Sequence, residues 1–170
     1  MALVDRDELR AVQAPLKERY REDSGEAHIT LEAEGSLDDG IACSVRTGEA
    51  LVKAGLHPGT GGSGLEACSG DMLLQALVAC AGVTLRAVAT SLGVAVEGTV
   101  RAEGDLDWRG TLAVDKEASV GFSAIRLSFD LDTDATEEDL STLERLTERY
   151  CVVFQTLASA PALETTVSRR

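Results

Sequence analysis

The longest apolar pattern in the chain runs over residues 71–92, with the sequence DMLLQALVACAGVTLRAVATSL. No charged side chain occurs within residues 72–85, and Ser69 and Gly93 stand where helix caps are expected. As a helix, about 22 residues would span about 33 Å, the diameter of a small domain. A helix that is apolar on all sides is buried on all sides, so we predict a central core helix. The rival prediction, a membrane span, needs about 18 or more apolar residues, and this run ends at Arg86.

Shorter segments alternate apolar and polar residues, which is the pattern of a half-buried strand. The predicted strands are residues 28–34, 41–46, 94–102, 111–114, 125–131 and 163–167. The first two are separated by GSLDDG, residues 35–40, which predicts a turn and therefore a hairpin. Strands on both sides of one buried helix predict the α+β class, with antiparallel sheets around the central helix.

Two further segments have a helical pattern. Residues 7–23 carry apolar side chains at helical spacing but are interrupted by Pro15, which predicts a helical arm in one piece or two. We assign this arm to residues 1–25 and a single domain to residues 26–170. Farther along, Thr136 and Asp139 resemble a capping box that opens a second helix.

That second helix is expected to present an apolar stripe from Leu140 to Val153 and Phe154, with Cys151 beside the stripe and Pro161 after the helix end.

The charge of the chain restricts its partners. Its formal net charge is −13, whereas nucleic acids and anionic membrane surfaces call for a basic face. We therefore expect no nucleic-acid or membrane partner. The N-terminus MALVDRDELRAVQ is charged and lacks the apolar core of a signal peptide, so we expect a cytoplasmic protein. In a reducing compartment its four cysteines are a poor disulfide framework.

The sequence lacks the residue patterns of the common metal-binding and nucleotide-binding sites. The four cysteines contain no C-x-x-C pair and His28 and His57 form no H-x-x-x-H, so we expect no metal. The glycines of HPGTGGSG match G-x-G-x-x-G, but no βαβ unit surrounds them, so we interpret them as a loop without a cofactor. What is left is a cysteine on each of two helices, Cys80 and Cys151. They are either buried small apolar residues or a redox pair.

The segments SGDMLLQALVACAGVTLRAVA and RYCVVFQTL, with the order of elements around them, resemble the OsmC/Ohr family. The resemblance covers about residues 28–167. It implies an OsmC-like fold and an intertwined homodimer with both central helices at its interface. Family members include thiol peroxidases of the stress response, which reduce organic hydroperoxides and take electrons from a dithiol such as dihydrolipoamide. Carried over, Cys80 is the peroxidatic residue and Cys151 the resolving one.

The family also supports its thiolate with an arginine and an acid. Arg46 is the best match for the arginine, although a solvated charge at a strand end is an equal interpretation. The acid maps to Asp71, nine residues before Cys80, or roughly 900° of helix rotation, which places it on the opposite side of an ideal helix. Weaker alternatives are Arg21, Arg86 and Glu66.

Other functions stay open. Val152 and Val153 replace smaller or rigid residues of the family motif and make the site more apolar. This favours a non-catalytic dimer that binds a small apolar ligand, and a slow thiol redox sensor is a third possibility. A cation at the Cys80 sulfur would favour the peroxidase. Cys43 is expected to fill the core, and Cys68 to be a surface thiol or an alternative partner of Cys80.

Overall fold

The computed structural model describes residues 5–22, 34–38, 42–47 and 50–169. The helices in this part of the chain are α1 (Arg6–Glu22), α2 (Ser69–Leu92), α3 (Trp108–Thr111), α4 (Glu137–Tyr150) and α5 (Val152–Ala158). The strands are β1 (Glu34–Asp38), β2 (Ala42–Thr47), β3 (Ala50–Gly55), β4 (Ala67–Cys68), β5 (Glu97–Asp105) and β6 (Ala124–Asp132). The mixed composition confirms the predicted α+β class.

The strands form two sheets. One has the order β1-β2-β3-β4, antiparallel except for the parallel β3–β4 pair. The other is the antiparallel β5–β6 ribbon, in which Glu97 pairs with Asp132 and Asp105 with Ala124. At Gly98, φ is 134° and an added Cβ would lie 2.0 Å from the Asp130 carbonyl oxygen, so only glycine fits this close strand pairing.

The predicted central helix is α2, which packs against β5, α4 and α5. It ends at Gly93, whose left-handed conformation (φ 74°) lets its N–H reach the carbonyls of Ala89 and Thr90. Its first residue is Ser69, so the cap position falls on Cys68 and not on Ser69 as predicted.

Burial of α2 follows one stripe, formed by Leu77, Ala81, Leu85 and Ala89. On the other side Val83 is 72 % exposed and Ala76 and Ala79 are also exposed. The prediction of burial on every side is therefore wrong for the single chain, because the elements of one chain cover only one side. By length and composition α2 also meets the criteria for a membrane span, a test that core helices pass as well.

The core divides into two clusters along α2. One contains Leu85, Ala89, Val96 and Leu143, and the other contains Leu77, Ala81 and Cys151. The inner face of the β5–β6 ribbon covers the second cluster. This arrangement brings the only buried cysteine of the described chain against the middle of α2.

Helix α4 begins as predicted. The Thr136 hydroxyl accepts the Asp139 N–H at 3.2 Å, and the Asp139 carboxylate accepts the Thr136 N–H, which completes the capping box. Its end differs from the prediction of one stripe through Phe154. Cys151 adopts an extended conformation (ψ 108°), so it ends α4 and caps α5.

The predicted hairpin exists with a different boundary. The strand segment 28–33 lies outside the described residues, whereas the predicted turn residues 35–38 belong to β1. As an edge strand, β1 is held by backbone hydrogen bonds to β2, which polar residues provide as well as apolar ones. Strand β3 had not been predicted.

Two predicted strands are absent from the described chain. Around residues 111–114 the chain forms the end of α3, which the Asp107 carboxylate caps, and then a turn with Ala113 at φ 55°. Residues 163–167 are exposed and make no strand pairing within the described part of the chain. In both places a short apolar alternation lacks a strand to pair with.

Helix α1 is one continuous helix that contains Pro15. The Arg6 guanidinium donates to the Ser91 carbonyl oxygen at 2.9 Å, near the C-terminus of α2. The division into an arm at 1–25 and a domain at 26–170 stays a prediction.

Candidate functional site

Cys80 and Cys151 come together in the second core cluster. Cys80 lies in the middle of α2 and is half-buried, whereas Cys151 is 0 % exposed between α4 and α5. Both are free thiols. The chain bend at Cys151 lets its sulfur accept the Phe154 N–H at 3.5 Å and brings the first turn of α5 toward Cys80. The two residues that the sequence singled out therefore share one site.

The two sulfurs have opposite electrostatic environments. Burial on its own raises the pKa of the Cys80 thiol, but hydrogen bonds from the Val153 and Val152 N–H groups, the Cys151 thiol and the Thr84 hydroxyl outweigh it. The pKa of Cys80 is therefore lowered. Burial raises the pKa of Cys151, and the adjacent Cys80 sulfur raises it further. Cys80 is thus the sulfur that ionises first, whereas Cys151 keeps its proton and hydrogen-bonds to Cys80.

Apolar side chains surround this pair. Those packed against the cluster are Val100, Ala102, Ile125, Leu127, Phe129, Val153 and Phe154. No charged residue of α2 lies near Cys80 in sequence, since the helix carries none from residue 72 to residue 85. The site therefore suits an apolar molecule that reacts with a thiolate.

Hydrogen-bond donors at Cys80 had not been predicted. Thr84 follows Cys80 by one helical turn, so C-x-x-x-T on a helix is a signal that was readable in the sequence. The backbone N–H groups of Val152 and Val153 depend on the bend at Cys151, which the sequence pattern did not predict. A neutral set of donors thus lowers the Cys80 pKa, where the family resemblance predicted a cation.

The structure does not describe the side chain of the predicted arginine, Arg46. The backbone of Arg46 lies in β2, paired with Leu51 and Glu34, and its side chain lies outside what the structure describes. The side chain of Arg21 does so as well. Arg86 donates to the Val96 carbonyl oxygen at 2.7 Å and forms an ion pair with Glu97 at 3.4 Å. Among the described groups that shift the Cys80 pKa, none is a cation.

The predicted acid lies elsewhere. Asp71 is exposed in the first turn of α2, about 13 Å from Cys80 along the helix axis. It lines a separate cleft of about 270 Å³. That Asp71 supports the Cys80 thiolate stays a prediction, and the structure does not bring the two residues together. The alternative acid, Glu66, accepts the Ser63 hydroxyl at 2.7 Å.

We call that separate space the N-terminal cleft. Its lining is His57, Cys68, Gly70, Asp71, Leu74, Gly104, Leu106, Trp108 and Phe122. The His57 ring stacks on Trp108 with centroids 5.0 Å apart, and its Nδ1 accepts the Gly59 N–H at 2.9 Å. His57 is thus a turn residue. Among the described residues no group of three His, Cys, Asp or Glu side chains would hold a metal ion.

Cys68 is not a partner for Cys80. Cys68 caps the start of α2 and Cys80 lies in its middle, twelve residues later. At 1.5 Å per residue the two are about 18 Å apart along the helix axis, a distance that no disulfide spans. The side chain of Cys43 lies outside the described residues, and its backbone pairs with Leu37 and Ala54 in the first sheet.

Residues 61–166 match the family model of OsmC-like proteins, which is more than half of the chain. The chain belongs to this family. An OsmC-like protein from Mycoplasma pneumoniae has a similar structure, with a TM-score of 0.66 at 13 % identity over 78 % of this chain and 89 % of that protein. A hypothetical protein from Aquifex aeolicus gives a TM-score of 0.60 at 16 % identity, over 78 % and 90 % of the two chains.

An OsmC-like protein of unknown function from Vibrio cholerae gives a TM-score of 0.56 at 15 % identity, over 76 % of this chain and 94 % of that one. The search of curated proteins finds no match. The predicted OsmC-like fold, organised on a long central helix, is thereby confirmed. At these identities the solved OsmC-like structures establish the fold and leave the activity to be argued from the site.

Proposed function

We propose that this OsmC-like protein is a thiol-dependent peroxidase that reduces organic hydroperoxides through Cys80 and Cys151. One observation carries the proposal: two reduced cysteines share an apolar cluster, and their surroundings lower the pKa of Cys80 and raise that of Cys151. A thiolate beside a protonated thiol is the starting state that a two-cysteine peroxidase needs, because only the thiolate attacks the peroxide.

The reaction has two chemical steps. The Cys80 thiolate attacks the terminal oxygen of the hydroperoxide, an S–O bond forms as the O–O bond breaks, and the alkoxide leaves as an alcohol after taking up a proton. The Cys151 sulfur then attacks the Cys80 sulfenic acid, so that the disulfide forms and hydroxide leaves as water with the Cys151 proton. A small dithiol such as dihydrolipoamide returns the disulfide to two thiols and is itself oxidised to a disulfide.

The apolar surroundings support an organic substrate over hydrogen peroxide. The side chains packed against the pair, among them Phe129 and Phe154, offer no polar group to a small polar peroxide but match an alkyl or aryl chain. Of the two sulfurs, Cys80 is the one that a dithiol would meet first, since Cys80 is half-buried and Cys151 is fully buried.

A homodimer is part of this proposal. Supporting it, the side of α2 that carries Ala76, Ala79 and Val83 is exposed in the single chain although it is apolar, and Leu73 lies on the same helix with 38 % exposure. Small side chains let a second helix approach closely. We further propose that this dimer works in the cytoplasm, without a metal, an organic cofactor, a nucleic acid or a membrane partner.

The test is intact-mass analysis and non-reducing peptide mapping after one equivalent of cumene hydroperoxide is added to the reduced protein. We expect a rapid loss of two hydrogens and a Cys80–Cys151 cross-link. Cys80→Ser should abolish the reaction, and Cys68→Ser, which removes a thiol outside the pair, should leave it unchanged. Unreacted thiols in a folded wild-type protein would overturn the proposal. Repeated turnover with dihydrolipoamide separates a peroxidase from a slow redox sensor, which would react once.

One observation favours a second function, the binding of a small apolar ligand without catalysis. No described cation lowers the Cys80 pKa, and the family motif is more apolar here through Val152 and Val153. Tight binding of an alkyl ligand by a protein whose thiols do not react with peroxide would favour this function. The mass experiment above distinguishes the two directly.

A further inference from the structure

Thr147 is a polar side chain in the middle of the core. It is 0 % exposed, and its hydroxyl has no hydrogen-bond partner among the described residues. Threonines in helices commonly donate to the carbonyl four residues earlier. Thr90 does so to Arg86 and Thr156 to Val152, both at 2.8 Å. A buried hydroxyl that does not use this partner calls for an explanation, since leaving it unpaired disfavours the folded state.

The position of Thr147 suggests one. It lies one helical turn before Cys151, whose N–H donates to the Thr147 carbonyl oxygen at 2.9 Å. Cys151 has a helical φ of −74°, and a Cβ at such a position leans toward the helix N-terminus, over the turn that contains Thr147. Side chains four residues apart have Cβ atoms about 5–6 Å from each other. The unpaired hydroxyl therefore lies on the same face of α4 as the Cys151 side chain, one helical turn away.

We propose that Thr147 is a positioning residue for Cys151, whose sulfur accepts a hydrogen bond from the Thr147 hydroxyl once that sulfur has lost its proton. This inference rests on the proposed function, in which Cys151 must become a buried nucleophile in the second step. In the reduced state Cys151 directs its proton at Cys80 and needs no further donor. Cys80 already has such support, because the Thr84 hydroxyl, also four residues away, lowers the pKa of Cys80.

The other groups around Cys151 do not replace this donor. The titratable group that faces it from α2 is Cys80, and the groups that face it from α5 are the Phe154 and Val153 N–H. From the β5–β6 ribbon the cluster receives only apolar side chains, such as Val100 and Leu127. A thiolate at Cys151 therefore depends on the α5 backbone and on Thr147.

The first test is a titration of Cys151 alone, in a protein whose other three cysteines are replaced by serine. Thiolate formation is followed by ultraviolet absorbance and by the rate of alkylation as a function of pH. We expect Thr147→Val to raise the pH midpoint by about one pH unit, because loss of a hydrogen bond to an anion disfavours the anion by about tenfold. Thr147→Ser, which keeps a hydroxyl, should restore the midpoint.

Controls separate this role from packing. Thr142→Val changes a half-buried threonine of the same helix and should leave the midpoint unchanged. Thr147→Val replaces an unpaired hydroxyl by a methyl group and should fold at least as stably as the parent. Thr147→Ala provides a second variant without the hydroxyl. An unchanged midpoint in both, or the same shift in Thr142→Val, would overturn the inference.

The second test uses the protein with all its cysteines. After one equivalent of cumene hydroperoxide, Thr147→Val should oxidise Cys80 at the wild-type rate and form the disulfide about tenfold more slowly at neutral pH, with recovery at higher pH. Accumulated sulfenic acid is trapped with dimedone, and the adduct is quantified by mass spectrometry. Equal rates of disulfide formation in variant and wild type would contradict the inference. Failure of the wild type to react at all would overturn the proposed function instead, while the titration still decides what Thr147 does.

Discussion

The middle and the beginning of α2 hold thiols in contrasting surroundings. At the middle, Cys80 meets Cys151 within an apolar cluster, close to three neutral hydrogen-bond donors besides the second thiol. At the beginning, Cys68 lines the N-terminal cleft beside the carboxylate of Asp71 and the stacked rings of His57 and Trp108. Within the described residues, one helix thus presents a sulfur that has a second thiol beside it and a sulfur that has none.

The surroundings of Cys80 are those that prepare a cysteine for redox chemistry. A second sulfur within hydrogen-bond reach provides both a proton donor now and a disulfide partner later. Backbone N–H groups stabilise the thiolate without introducing a charge into an apolar site. The cleft has space and polarity, and the described side chains that line it include no second thiol, so we expect Cys68 not to act as a redox pair.

The largest expected effect breaks the pair. Cys80→Ser removes the attacking sulfur, so peroxide consumption should fall by at least about a thousandfold. Cys68→Ser also replaces a cysteine sulfur, but in the N-terminal cleft, and its rate of peroxide consumption should stay within about twofold of wild type. Peroxide consumption is followed by an electrode or a coupled colorimetric assay. A large loss in Cys68→Ser with an active Cys80→Ser would reverse the comparison.

The next effect concerns stability. Leu77 is fully buried next to Ala81 and Cys151, so Leu77→Ala should lower the free energy of unfolding by about 2–5 kcal/mol. Leu74, which lines the open cleft, is only half-buried, and Leu74→Ala should cost about half as much. Urea denaturation monitored by circular dichroism measures both. Equal losses would mean that the cleft is packed as tightly as the cysteine cluster.

Much of the cysteine region could be predicted from the sequence. The uncharged run within residues 72–85 predicted the central helix, and the family-like segments around Cys80 and Cys151 predicted their pairing. Each of these features is a short stretch of sequence or a regular spacing of residues within a single helix. The stripe of α4 and its capping box were readable for the same reason.

What was missed depends on contacts between elements. The bend at Cys151 breaks a continuous helical pattern, and no proline or glycine marks it. Thr111 to Val114 resemble a strand in sequence, but the chain there follows the Asp107 cap into a short helix and a turn. The N-terminal cleft also escaped prediction, since its walls come from loops and strands far apart in sequence.

A smaller effect tests the neutral donors at Cys80. Thr84→Val removes one hydroxyl that lowers the Cys80 pKa, so that pKa should rise. Since only the thiolate is alkylated, the rate of iodoacetamide reaction at a pH below the midpoint should fall by about two- to tenfold, the effect of one hydrogen bond, and should recover at high pH. Thr90→Val, six residues farther along α2, is the matched control. A pH-independent loss would indicate a packing defect and not a change in ionisation.

The smallest expected effect concerns the N-terminal cleft. His57 stacks on Trp108 and accepts the Gly59 N–H, so it holds the loop that walls the cleft. His57→Ala should lower the free energy of unfolding by about 1 kcal/mol through the lost stacking and hydrogen bond, and His57→Phe should recover the stacking share. Because the cysteine pair packs against other elements, alkylation of Cys80 should keep its rate and its pH dependence in both variants. A changed alkylation rate at Cys80 would show that the two regions of α2 are coupled. Cys68 would then form one functional site with Cys80 and Cys151.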